Sequence, residues 1–148
     1  MQKARTLLLF CGEAVYPREW LDRRIEGIAK ELKSLPMDIL CTGTLLEEAD
    51  AVSLVARGLP SRPDLIVCVF VSWHITGTVM QVLREYQDVP VLVLSASGLT
   101  DETGKLHAPA APAGITALLP YLRELGIPHK SLFQKPGEPL PLADIAEF

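Results

Sequence analysis

Residues 65–71 read Leu-Ile-Val-Cys-Val-Phe-Val, an apolar run with no polar break. A strand with one wet face alternates apolar and polar side chains. A strand that never does so must be covered on both faces, which is the situation inside a parallel sheet sandwiched between helices. Two further segments repeat the pattern. Ala4–Phe10 carries Leu7-Leu8-Leu9-Phe10, and Val91–Ser95 is apolar up to its last residue. Met37–Cys41 and Ser131–Gln134 are shorter strand candidates.

Between these strands the apolar period changes from continuous to helical. Pro17 suits the first position of a helix, and Trp20, Leu21, Ile25, Ile28, Leu32 and Leu35 then recur on one stripe up to Pro36. Leu45–Arg57 predicts a second helix with Leu46, Ala49, Val52 and Ala56 on one face, and with Glu47, Glu48 and Asp50 at its positive end. Gly58–Pro63 is a turn. Thr76 is positioned to cap a third helix running to about Gln87. Ala96–Pro112 is rich in Gly, Pro, Ser and Thr and predicts a long loop. Ala113–Leu125 predicts a helix with Pro120 as a kink and Gly126 as its stop, and Pro141–Phe148 starts a last one.

Strands alternating with helices from end to end give an α/β fold joined by right-handed crossovers. The expected architecture is a doubly wound parallel five-stranded sheet, flavodoxin-like, of order 2-1-3-4-5, with helices on both faces. In such sheets ligands bind beyond the carboxyl ends of the strands, near the switch between strands 1 and 3. The 148 residues suit one domain, 1–148.

The net charge of −4 with no Lys/Arg run argues against nucleic acid or an anionic membrane as partner. No apolar run approaches the ~18 residues of a membrane span. Lys3 and Arg5 precede a short apolar run, but Glu13 follows too soon for a signal peptide, so a cytoplasmic location is expected. Cys11, Cys41 and Cys68 are odd in number and form no CxxC pair, so buried inert thiols are expected.

Two strand ends hold the candidate chemistry. After the first strand comes Cys11-Gly12-Glu13-Ala14-Val15-Tyr16-Pro17-Arg18, where six residues rather than five separate Cys from Arg and a phosphatase-type cradle is disfavoured. Neither GxGxxG nor GxxxxGK[ST] occurs, so those routes to nucleotide binding are absent. After the third strand comes Ser72-Trp73-His74-Ile75-Thr76-Gly77-Thr78. A Trp ring offers a face for sugar C–H groups, and His and hydroxyls bond sugar hydroxyls. The plainer alternative is that Trp73 covers the sheet edge and His74 is a solvated loop residue. Glu13, Arg18 and His74 can converge from adjacent loops. Asp101, Glu102, Lys105 and His107 share the 96–112 loop but lack metal-ligand spacing.

The chain resembles the N-terminal region of the L-fucose isomerase and L-arabinose isomerase-like family. The likeness rests on the opening Leu7–Arg18 strand and loop, and on Leu45–Asp50 followed by an apolar strand starting at Asp64. It also rests on Val71–Thr78 with the later Val89-Pro90-Val91-Leu92 strand, and on Leu125-Gly126-Ile127-Pro128 closing the penultimate helix. These segments span nearly the whole chain. The family often has a Cys-Gly pair before the fifth helix, whereas Pro112-Ala113-Gly114 keeps only the glycine. The resemblance implies an N-terminal domain of a longer aldose–ketose isomerase. In that picture the domain packs on a neighbouring subunit of a homo-oligomer and helps close its sugar pocket. Trp73 would line that pocket, Arg18 would bond sugar hydroxyls, and His74 and Thr76 would support the loop. The family's metal ligands lie in later domains, so this chain needs no cofactor of its own, Mn2+ belongs to the full-length protein, and the isolated chain is expected to be inactive. Two other readings stand beside it: a standalone small-molecule-binding or regulatory domain, and a small hydrolase or transferase using Glu13, His74 or Asp101.

Overall fold

The structure is a computed structural model, and it describes residues 3–13, 15–41, 45–47, 50–51, 53–54, 58–96, 98–107 and 110–148. The main-sheet strands are β1 (Ala4–Cys11), β2 (Met37–Cys41), β3 (Leu65–Phe70), β4 (Val91–Ala96) and β7 (His129–Gln134). A two-stranded hairpin, β5 (Leu99–Thr100) and β6 (Leu106–His107), stands apart from them. The helices are α1 (Arg18–Leu32), α2 (Thr76–Leu83), α3 (Ala111–Glu124) and α4 (Leu142–Ala146), with a 3-10 turn at Arg84–Tyr86 after α2.

The five main strands are all parallel, in the order β2-β1-β3-β4-β7. Counted within that sheet this is 2-1-3-4-5, the order expected from the alternation of apolar runs and helical stripes. The core forms two layers, as two-sided strands require. On one face Leu7, Leu9, Ile66, Cys68, Phe70 and Val93 pack against α2 and α3 through Val79, Leu83, Ile115 and Leu118. On the other, Leu8, Phe10, Val67, Val69 and Leu94 pack against α1 and α4 through Leu21, Ile25, Ile28 and Ile145. The unbroken apolar run thus feeds alternate side chains to each core.

Arg5 and Asp64 clamp the amino-terminal edge of the β1–β3 pair. The Asp64 carboxylate accepts from the Arg5 amide (2.9 Å), from Nε (2.9 Å) and from Nη2 (2.7 Å). Those charge-assisted bonds hold the Asp64 pKa down to about 2. The pairing starts at Thr6↔Leu65 and runs to Cys11↔Phe70.

Several boundaries differ from expectation, each for a local reason. Pro17 caps α1 rather than starting it, its carbonyl accepting from the amides of Trp20 (3.0 Å) and Leu21 (3.2 Å). The helix stops at Leu32, before Leu35, where the Ser34 hydroxyl takes the Glu31 carbonyl (2.7 Å) and diverts the chain into a turn. Leu45 does not begin a helix. It bridges Phe10 as an extension of the sheet, and the helical residues described in this segment are Asp50, Ala51, Ser53 and Leu54. The expected positions Ala49, Val52 and Ala56 lie outside the described residues. Ile75, not Thr76, is the cap of α2, and no side chain caps it. The helix α3 runs on through Pro120.

The 96–112 segment is not one irregular loop. Asp101 builds the β5–β6 turn, its Oδ1 accepting from the Thr103 amide (2.9 Å), the Thr103 hydroxyl (2.6 Å) and the Lys105 amide (3.0 Å). Gly104 supplies the positive φ of 79° that the turn needs. Among the described residues no helix is long and apolar enough to cross a membrane.

Candidate functional site

The carboxyl ends of β1 and β3 meet at Gly12, Glu13, Ser72 and His74. Valine 71 donates its amide to the Cys11 carbonyl (2.9 Å), which holds the two strand exits side by side. Their closeness demands a glycine. A Cβ on Gly12 would lie 2.6 Å from the Ser72 Oγ, 3.0 Å from Leu45 Cδ2 and 3.1 Å from Val71 Cγ2. The buried Ser72 hydroxyl accepts from the Glu13 amide (2.8 Å) and donates to the Trp73 carbonyl (3.1 Å), tying the loops together.

Histidine 74 is 4% exposed, so the solvated-loop alternative is wrong for it. Its Nδ1 lies 2.9 Å from the Gly12 carbonyl and 3.3 Å from the Glu13 Oε1. A carbonyl can only accept, so Nδ1 carries the proton and Nε2 presents a lone pair. Burial pushes the His74 pKa below its ordinary value, against the opposing pull of the Gly12 carbonyl and the Glu13 carboxylate, and the ring is neutral at pH 7. Nε2 is buried and has no hydrogen-bond partner among the described residues. The Glu13 Oε1 also accepts from the Ile75 amide (3.2 Å).

A cavity of about 280 Å³ opens here, with Gly12, Glu13, Leu46, His74, Ile75 and Thr78 in its wall. Behind it, the first turns of α3 come close enough that a Cβ on Gly114 would meet Phe70 Cδ1 at 2.6 Å and the His74 amide nitrogen at 3.5 Å. The retained glycine of Pro112-Ala113-Gly114 therefore has a packing cause.

The five candidate residues separate into groups. Glu13 and His74 come together in the cavity wall. Thr76 sits in the first turn of α2, and Thr78, two residues on, lines the cavity. Arg18 forms ion pairs with Asp22 (2.9 Å) and with Glu47 (3.5 Å), the latter a residue of the cavity wall, so it stands at the rim. Trp73 is 44% exposed beside His74 and is not part of that wall. The residue missed from sequence is Gly12, for which a glycine directly after a buried strand was the available signal. Ser72, one of the hydroxyls noted at the end of the third strand, ties the two loops together.

Elsewhere, Cys11 and Cys68 are free and buried, and burial together with the neighbouring Cys68 raises the Cys11 thiol pKa. The Thr103 hydroxyl bond, together with the His107 contact (2.7 Å), pulls the Asp101 pKa well below the carboxylate range. Among the described residues no three His, Cys, Asp or Glu side chains are grouped to hold a metal ion. No family model, curated protein or solved structure matches the chain.

Proposed function

We propose that this chain is a sugar-binding domain of an aldose–ketose isomerase-like protein, one that contributes a pocket wall and a packing surface and does not itself catalyse. The carrying observation is the neutral, buried His74, whose Nε2 lone pair has no partner among the described residues while its ring lines a cavity beside a carboxylate. A lone pair and a carboxylate together call for a ligand rich in hydroxyl donors. The position, past the carboxyl ends at the β1/β3 switch, is where doubly wound sheets bind small molecules. The cavity is small against the usual ~300–1,000 Å³ of ligand pockets, which suits a monosaccharide or one wall of a shared site.

The packing role is supported by the same two loops. Val15 (84% exposed), Trp73 and Ile75 (53%) put apolar surface next to Glu13 and His74. Large apolar groups left exposed around a cleft mark a surface that another chain covers. In an isomerase of this kind hydrogen moves between C1 and C2 of the aldose, and that chemistry needs groups from outside this chain.

Calorimetric titration with L-fucose and L-arabinose tests the reading. Saturable binding that is lost in Glu13→Gln and His74→Gln is expected, together with no isomerase turnover by the chain alone. An absence of heat with every aldose tried would sink it. A second reading, a regulatory domain, draws on the same apolar rim. It predicts self-association that changes with ligand, which sedimentation velocity reads.

A further inference from the structure

A second and larger cleft, about 670 Å³, lies between α1 and the turn of the β5–β6 hairpin. Trp20, Arg23 and Arg24 form its helical wall, and Thr100, Asp101 and Glu102 face them. Gly27, one turn further along α1, also borders it, and a Cβ there would meet nothing within 4 Å, so the helix leaves this space open.

The hydrogen-bonding capacity of this cleft is unbalanced in one direction. Trp20 Nε1 and Arg24 Nε are both buried and have no partner among the described residues. Both are donors and neither can accept. Arg24 Nη2 donates to the Oε1 of Gln134, whose own Nε2 donates to the Glu138 carbonyl, so a neutral amide oxygen is what faces the guanidinium. Arg18 and Arg23 on the same helix have carboxylate partners, Asp22 and Glu19, whereas Arg24 has no ion pair among the described residues. Glu31 acts on it only through space, with one oxygen committed to the Leu140 amide (3.3 Å). Burial lowers the Arg24 pKa, against the opposing pull of the Glu31 carboxylate.

The acids across the cleft do not fill that need. Both oxygens of Asp101 are engaged inside the hairpin, by Thr103, Lys105 and His107. Glu102 is exposed at the turn and screened by solvent. The His107 ring meets the Trp20 ring at 6.3 Å between centroids and steadies the indole.

We propose that this cleft binds a small oxyanion, a carboxylate or phosphate ester, carried on a compact apolar body. On binding, the Arg24 and Trp20 side chains turn Nε and Nε1, both covered in the free chain, toward the oxyanion, which accepts from each, and the body lies against the indole face. Planar guanidinium donors match carboxylate and phosphate oxygens in geometry as well as charge. The site is separate from the Glu13–His74 cavity and shares no residue with it.

The chain has two tryptophans, so two indole N–H resonances report separately in a proton–nitrogen correlation spectrum, with Trp20→Phe assigning them. Benzoate and phenyl phosphate are the probes, and benzyl alcohol is the neutral control. The Trp20 indole resonance is expected to move saturably with one or both anions and not with the alcohol. Arg24→Gln should weaken binding at least about tenfold, and Arg24→Lys, which keeps the charge but not the planar fork, should fall between. Glu102→Gln should tighten binding about twofold at low salt, a gain that a damaged fold does not produce. Movement with phenyl phosphate alone or benzoate alone names the oxyanion. No movement with either anion, equal movement with benzyl alcohol, or an unchanged affinity in Arg24→Gln overturns the proposal.

Discussion

At the scale of single residues, the site depends on two atoms being absent or silent. Gly12 lacks the Cβ that would press on Ser72, Leu45 and Val71. Gly12→Ala is therefore expected to cost about 1–3 kcal/mol, as overpacking does, and to pull the Ser72 hydroxyl off the Glu13 amide. Urea unfolding of the variant measures the first effect and loss of ligand binding the second. The silent atom is His74 Nε2. Because burial depresses the folded-state pKa, the unfolded chain takes up a proton near pH 6.5 that the folded chain refuses. Stability is then full above the unfolded value and falls as the pH drops below it, levelling off beneath the folded pKa. The urea midpoint should drop between about pH 7.5 and about pH 5.5, and His74→Gln should flatten that drop. A midpoint that holds across this range in the parent chain would contradict the buried neutral ring.

At the scale of elements, two glycines on two helices should respond in opposite ways. An alanine is worth about 1 kcal/mol over glycine inside a helix. On α1, Gly27 has open space where its Cβ would go, so Gly27→Ala should gain about 0.5–1 kcal/mol. On α3, Gly114 stands against the Phe70 ring, so Gly114→Ala should lose about 1–3 kcal/mol despite the better propensity. Thermal melts of the pair decide it. The strands and the α1 stripe were readable in advance because a period of burial is written directly into residue order. What could not be read was side-chain bonding. The Asp101 turn made a hairpin of an apparent loop, and the Leu45 bridge to Phe10 replaced a helix start. The solvated alternative for His74 could not be dismissed in advance because Gly12 and α3, which pack near it, are remote in sequence. Glu13 and His74 were both singled out, but their contact needs the strand order as well as the residues.

At the scale of the whole molecule, burial is graded across the sheet. All six residues of β3 and of β4 are buried, while the β7 edge is largely half-exposed. Amide exchange should be slowest in β3 and β4 and faster by orders of magnitude in β7, with β1 close to the centre. The Arg5–Asp64 clamp has a further consequence, in the history of the chain during synthesis. β1 is made before β3 and finds this central neighbour 59 residues later. Until β3 arrives, one edge of β1 carries unpaired amides and carbonyls, open to any passing strand. A slip of one residue there would send Leu7, Leu9 and Cys11 to the wrong core. The clamp ties Arg5 to the residue just ahead of β3 by three bonds that exist in one register only. A surface ion pair at the amino-terminal end of the β1–β3 pair is thereby expected to favour the alignment that brings Glu13 opposite His74.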